Sequence, residues 1–437
     1  MATRTPSPRQ SALRWLGMLA FVALAVLGSL WFLGGTGLAG LGDAVPAAGT
    51  PAQNPAEQVE RGRYLARIGN CALCHTARGG QPYAGGRAIE TPFGTVMSSN
   101  LTPDKEHGLG QWSAQDFWQA MHLGQSRDGH LLYPAFPYTS FTHISRADAD
   151  ALFAYLQSLP AVAVAAPAHA LRWPYSTSFA LRIWRALYFK PASSSATETT
   201  TPLSRGQYLV DGLAHCMECH GGRNALGARS ARAGGGYMLP GGQWYAPSLS
   251  DPAQASVAGW SDADVQRFLQ TGANDHALAS GPMAEVVLHG TQYLSDADAQ
   301  AMAAYLKSLP QNSAKASAPA QQPASGISAL GAKVYEKHCA ECHGAQGEGR
   351  AGAYPALAGN RAVTMAQTQN LVRTVLGGGF APATAGNPQP YGMPPFMLQL
   401  GDGELAAVLT YIRSAWGNQA SAVSEFDINQ QRRSQVP

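Results

Sequence analysis

All six cysteines of this chain fall in three C-x-x-C-H motifs, Cys71-Ala-Leu-Cys74-His75, Cys216-Met-Glu-Cys219-His220 and Cys339-Ala-Glu-Cys342-His343. This spacing is the signature of covalent c-type haem attachment. Two thiols three residues apart reach the two vinyl groups of one porphyrin, and the following histidine lies under the iron as its proximal ligand. A structural zinc site needs four N or S donors, and one motif offers at most three. A redox C-x-x-C needs no histidine after each pair, and a set of disulfides would leave His75, His220 and His343 without a role. The expectation is three covalently bound haem c groups, held by Cys71, Cys74, Cys216, Cys219, Cys339 and Cys342 with iron ligands His75, His220 and His343.

The N-terminus fits export. Arg4, Arg9 and Arg14 precede an apolar run from Trp15 to Leu33. A positive segment before a hydrophobic one directs the chain across the inner membrane, and this run is long enough to span it. It reads as a retained membrane helix in preference to a cleaved signal, although small residues at 34–42 leave cleavage open. Either way the haem domains face the periplasm. With 30 basic and 27 acidic residues, the formal net charge is only +3, so no basic tract of the nucleic-acid-binding kind exists. Gly 48 and Pro 29 indicate much loop, as expected where chain wraps a flat cofactor.

The chain repeats itself three times. A helical segment with Gly and Tyr precedes each motif: Arg61-Gly62-Arg63-Tyr64-Leu65, Arg205-Gly206-Gln207-Tyr208-Leu209, and Gly331 with Tyr335. Each unit closes on an amphipathic helix opening at Ser145, Ser295 or Gly401 and carrying Tyr155, Tyr305 or Tyr411. Ser145 with Asp148, and Ser295 with Asp298, form capping-box patterns. The glycine would let the tyrosine-bearing helix approach closely. Two crossed helices over a haem is the cytochrome c plan, so the expected fold is mainly α: three tandem cytochrome c-like domains after an N-terminal membrane helix. The boundaries read as 1–45 for the signal or anchor helix, then 52–190, 203–310 and 326–420. Pro191–Pro202 and Gln311–Ser325 read as linkers. The aromatic and basic stretch Leu171–Lys190 reads as a helix packed between domains, with a surface that meets membrane headgroups or a partner subunit as the alternative.

A sixth ligand decides what each iron can do. A thioether closes it to outside ligands and raises its potential, which suits electron transfer. Met393, in Tyr391-Gly-Met393-Pro-Pro-Phe396, and Met283, in Ser280-Gly-Pro-Met283, stand at the expected place before their closing helices, with Met397 a weaker choice. In the first domain the matching position is Phe136, which cannot bind iron. Met97, Met121, His143, His130 and His122 remain as candidates, as does an open site.

The pattern Thr91-Pro-Phe-Gly94, Asn100-Leu-Thr-Pro-Asp104, Gly110-Gln-Trp112-Ser113 and Tyr133-Pro-Ala-Phe-Pro-Tyr138, with Gly281-Pro-Met283 and Tyr411-Ile-Arg413-Ser-Ala-Trp416-Gly-Asn418, resembles the tri-haem cytochrome c subunits of membrane-bound periplasmic dehydrogenases. That family serves alcohol, aldehyde, gluconate, sorbitol and fructose dehydrogenases of acetic acid bacteria and relatives. Many members have Met where this chain has Phe136; the Phe variant resembles cytochromes paired with molybdenum-type aldehyde or N-heterocycle dehydrogenases. The resemblance implies a large catalytic dehydrogenase partner, room for a small subunit, and electrons relayed through three haems to ubiquinone in the membrane. It implies a non-catalytic subunit, in keeping with a chain that shows neither a dinucleotide fingerprint nor a nucleophile–base pair. Two alternatives are a peroxidase-like enzyme with an open first haem and a multihaem carrier feeding a terminal oxidase.

Overall fold

A computed structural model describes residues 24–29, 54–193, 200–229, 235–311 and 325–434. Among the described residues no helix is long and apolar enough to cross a membrane. The run Trp15–Leu33 lies largely outside them, with only helical residues 24–29 inside.

Three helical units follow one another, each built on a crossed pair. Helix α1 (Pro55–Ile68) crosses α2 (Arg146–Gln157) in the first, and α3 (Ser325–His338) crosses α4 (Asp402–Ser414) in the third. In the second, Pro202–Gln207 runs on into a π-helical segment, Tyr208–Leu213, and crosses Asp296–Ser308. Glycine sets each crossing. A Cβ on Gly62 would sit 1.9 Å from the Ala151 carbonyl oxygen, one on Gly206 2.0 Å from that of Ala301, and one on Gly331 2.3 Å from that of Ala407. The partner helix presents the β-carbon of Tyr155, Tyr305 or Tyr411 to the same spot.

The first two units share one hydrophobic core, running from Leu65, Ile68 and Leu152 to Leu209, Leu213 and Met302. The third has its own, around Tyr335, Leu376, Leu405 and Leu409. A final helix, Glu425–Arg433, adds Ile428 to that core beyond residue 420.

The shared core is framed by two reciprocal polar clusters. Tyr208 Oη donates to Asp148 Oδ2 at 2.5 Å, and Tyr64 Oη donates to Asp298 Oδ2 at 2.7 Å. Arg61 pairs with Asp148 and Arg205 with Asp298, each within its own unit. The expected capping boxes are therefore only half made. Ser145 and Ser295 do accept the N–H groups of Asp148 and Asp298, but both carboxylates turn to the Arg and Tyr instead of back to the cap. The hydroxyl of the other unit's tyrosine accepts the cap N–H in their place, from Ser145 to Tyr208 and from Ser295 to Tyr64.

The stretch Leu171–Lys190 forms a helix over Ser178–Tyr188. Its Trp184 Nε1 donates to the Leu226 carbonyl of the second unit, and its buried Arg185 lies over the rings of Tyr138 and Phe189. It packs between the first two units, while Trp173, Phe179 and Leu187 stay exposed. A small sheet, β1 (Ala88–Thr91), β2 (Gly94–Met97) and β3 (Ala170–Leu171), braces the first unit.

Candidate haem sites

Each C-x-x-C-H motif folds as one short helical turn: Cys71–His75, Met217–His220 capped by Cys216, and Ala340–His343 capped by Cys339. One turn puts residues i and i+3 on one face and i+4 beside them. In the first two units the residue before the motif, Asn70 (φ 52°) or His215 (φ 41°), adopts the left-handed conformation and turns the chain from the opening helix into the motif. None of the six cysteines is in a disulfide.

The histidines share one arrangement. His75 Nδ1 lies 2.7 Å from the Ser99 carbonyl oxygen, His220 Nδ1 2.6 Å from that of Pro247, and His343 Nδ1 3.0 Å from that of Pro355. A carbonyl only accepts, so Nδ1 carries the proton in each neutral ring and the lone pair is on Nε2. That is the second-shell bond that fixes a metal-binding imidazole in orientation and tautomer. Burial pushes all three rings toward the neutral form, with the carbonyl bond opposing it. Burial also pushes the Cys71 and Cys216 thiols up to about 12. Each motif thus offers two unpaired sulfurs and one free Nε2, the donor set that haem c requires. The carbonyl partners lie 24, 27 and 12 residues downstream and carry no sequence signal.

The first two motifs abut. His215 Nε2 lies 3.3 Å from the Gly69 carbonyl oxygen, and a Cβ on Gly290 would fall 2.2 Å from Asn70 Nδ2. Glu218, inside the second motif, accepts the hydroxyls of Thr139 (3.1 Å) and Ser140 (3.0 Å) from the first unit. Arg87 and Glu285 pair across the same boundary. The third unit meets the second elsewhere, through reciprocal bonds between Asn370 and the backbone of Tyr245.

Met283 is the second residue of the helix Pro282–His289 and is half-buried. Met393 ends a two-residue strand paired with Gly379 and packs on the third core, as does Met397. In the first unit Phe136 packs on the shared core with its ring 5.4 Å from that of Phe141. Trp112 and Trp260 pack on that core as well.

Three tandem helical domains, each with a paired-thiol turn and an oriented histidine, define a c-type cytochrome with three haem c groups per chain. The cytochrome c family model matches residues 59–160, 203–310 and 328–416. More particularly, the chain belongs to the cytochrome c subunits of membrane-bound dehydrogenases. It is 37% identical over 398 residues to the cytochrome c subunit of the quinone alcohol dehydrogenase of Gluconobacter oxydans, covering 87% of this chain and 83% of that one. It is 37% identical over 399 residues to the cytochrome c subunit of gluconate 2-dehydrogenase from Pantoea cypripedii, covering 86% and 90%. It is also 38% identical over 445 residues to one of the subunits of the nicotinate dehydrogenase of Pseudomonas putida, covering 97% of this chain and 36% of that longer one.

Proposed function

We propose that this chain is the electron relay of a quinone-dependent dehydrogenase complex. It takes electrons from a large catalytic subunit and delivers them to ubiquinone, with the haem domains on the periplasmic face of the inner membrane. The observation that carries this is the threefold oriented histidine, His75, His220 and His343, each with Nδ1 held by a backbone carbonyl. Haem c supplies one-electron redox chemistry when bound, and the protein sets the potential through axial ligand and burial.

In this reading His75, His220 and His343 are the proximal ligands, and Met283 and Met393 close the second and third irons. Because the first two motifs abut across Gly69, Asn70, His215 and Glu218, the first two domains act as one rigid two-centre unit. The third domain, with its separate core, is the independent end of the relay. In this reading the units span residues 52–190, 203–310 and 326–420, and helix Glu425–Arg433 extends the third. The relatives are named as subunits of alcohol, gluconate and nicotinate dehydrogenases; an alcohol- or aldehyde-type partner is our reading here, and a small subunit would complete it. The chain itself is non-catalytic toward substrate.

The test is purification of the tagged full chain from solubilised membranes. A large dehydrogenase subunit should co-purify, and the complex should reduce a ubiquinone analogue. Co-purification with a terminal oxidase and no dehydrogenase would refute the assignment.

A further inference from the structure

Phe136 and Met283 occupy the same position in two like domains. In the first, the C-cap Gly124 (φ 61°) accepts the Leu132 N–H at 2.8 Å; in the second, the C-cap Gly272 (φ 75°) accepts the Ala279 N–H at 2.7 Å. Four residues past each donor stands Phe136 or Met283. The structural register therefore puts an aromatic hydrocarbon where the second domain has its thioether.

The other candidate ligands named for the first domain, Met97, Met121, His122, His130 and His143, are committed elsewhere. Met97 lies two residues before Ser99, whose carbonyl holds His75, as Tyr245 lies two before Pro247, whose carbonyl holds His220. It therefore belongs to the proximal, histidine side. Met121 is eight residues past the helix cap Ser113, as Leu269 is past Ser261; both are buried, so this is a hydrocarbon packing position. His122 stacks on Trp118 with ring centroids 4.5 Å apart. His130 is exposed and paired with Asp128. His143 turns to the second domain, its Cβ 3.5 Å from where a Cβ on Gly212 would lie.

From this placement we infer that the first haem site keeps an open distal face, roofed by Phe136, and binds small uncharged ligands such as carbon monoxide and nitric oxide. The inference rests on the reading that Met283 and Met393 close the other two irons. A phenyl ring supplies no lone pair and leaves a coordination position that only a small ligand can enter beside it.

The experiment is a carbon monoxide titration of the dithionite-reduced full chain, followed by its Soret difference spectrum, with ferric electron paramagnetic resonance beside it. One haem per chain should bind the gas, and the ferric spectrum should carry one high-spin centre. Phe136→Met should abolish both and add a red thioether-to-iron charge-transfer band. The double variant Cys71→Ala/Cys74→Ala, which lacks the first haem, should lose the carbon monoxide signal. A wild-type chain with three low-spin haems and no gas binding overturns the inference while leaving Met283 and Met393 as ligands. A signal that survives loss of the first haem overturns it too, and places the failure in the Met283 and Met393 assignments instead.

Discussion

Tyr208 of the second domain donates its hydroxyl to Asp148 of the first at 2.5 Å, and the same oxygen accepts the Ser145 N–H. Tyr64 repeats this in the opposite direction with Asp298 and Ser295. The two bonds tie each domain's opening helix to the other's closing helix, so the first two haem domains hold a fixed mutual geometry. The third domain has Lys333 two residues past its crossing glycine, where the others have Tyr64 and Tyr208, and stands outside this arrangement.

Removing the Tyr208 hydroxyl leaves a carboxylate that is only 2% exposed short of a donor and an N–H short of an acceptor. Tyr208→Phe should destabilise the paired domains by about 2 kcal/mol. Tyr64→Phe should cost somewhat less because its surroundings are wetter. The two losses should depart from additivity, because Arg205 joins the clusters, paired with Asp298 and stacked over the Tyr208 ring. Denaturant unfolding of the holoprotein checks this, and the absorption spectra should not change.

Alanine is ordinarily favoured over glycine inside a helix by about 1 kcal/mol. At Gly206 that preference should reverse, because the new Cβ would sit 2.0 Å from the Ala301 carbonyl oxygen. Gly206→Ala should destabilise the first two domains together by about 3 kcal/mol. Gly331→Ala should affect only the third domain, whose core is separate. Limited proteolysis followed by haem-stained gels distinguishes the two outcomes.

Burial alone would raise the Asp298 carboxyl; Arg205 and Tyr64 outweigh it and hold it below the usual carboxylate range. Glu218 is likewise raised by burial and brought below that range by Arg223 and Arg229. A carboxylate with a depressed folded pKa contributes stability above its unfolded value, and that contribution is lost as pH falls through the folded one. The carboxylate contribution to the contact between the first two domains should therefore be complete near neutrality and be lost below about pH 4. Thermal unfolding across an acid pH series should show this, and Tyr64→Phe, which moves the folded Asp298 carboxyl back toward its unfolded value, should start from a lower stability at neutral pH and lose less on acidification.

If Met283 and Met393 close their irons, replacing either with Ala should lower the potential of one haem and slow quinone reduction severalfold, with all three haems still attached. Spectroelectrochemical titration reads the potentials directly. Unchanged potentials in Met283→Ala would remove that residue from the ligand set.

The cofactor and the repeat were legible because their signals are local. Each C-x-x-C-H motif is a pattern of five consecutive residues, and the glycine of each opening helix and the tyrosine of each closing one recur in the same order in all three units. What sequence reading missed depends on distant or backbone partners. Asp148 and Asp298 read as capping-box acids, because the tyrosines that draw them away lie 60 and 234 residues along the chain. Ser99, Pro247 and Pro355 orient the histidines through backbone carbonyls, which any residue could supply. The sheet of β1 and β2 uses strands of four residues, too short for a periodic pattern. Helix Glu425–Arg433 is mostly polar, and only Ile428 and Gln431 are buried.

The most direct test of the relay is an anaerobic reductive titration of the full chain, with haem counted as its pyridine haemochrome and reoxidation followed on adding a water-soluble ubiquinone. Three covalent haems, one per motif, should take up three electrons per chain and return all three to the quinone. Fewer haems, or reduced haems that ubiquinone leaves reduced, would contradict the relay.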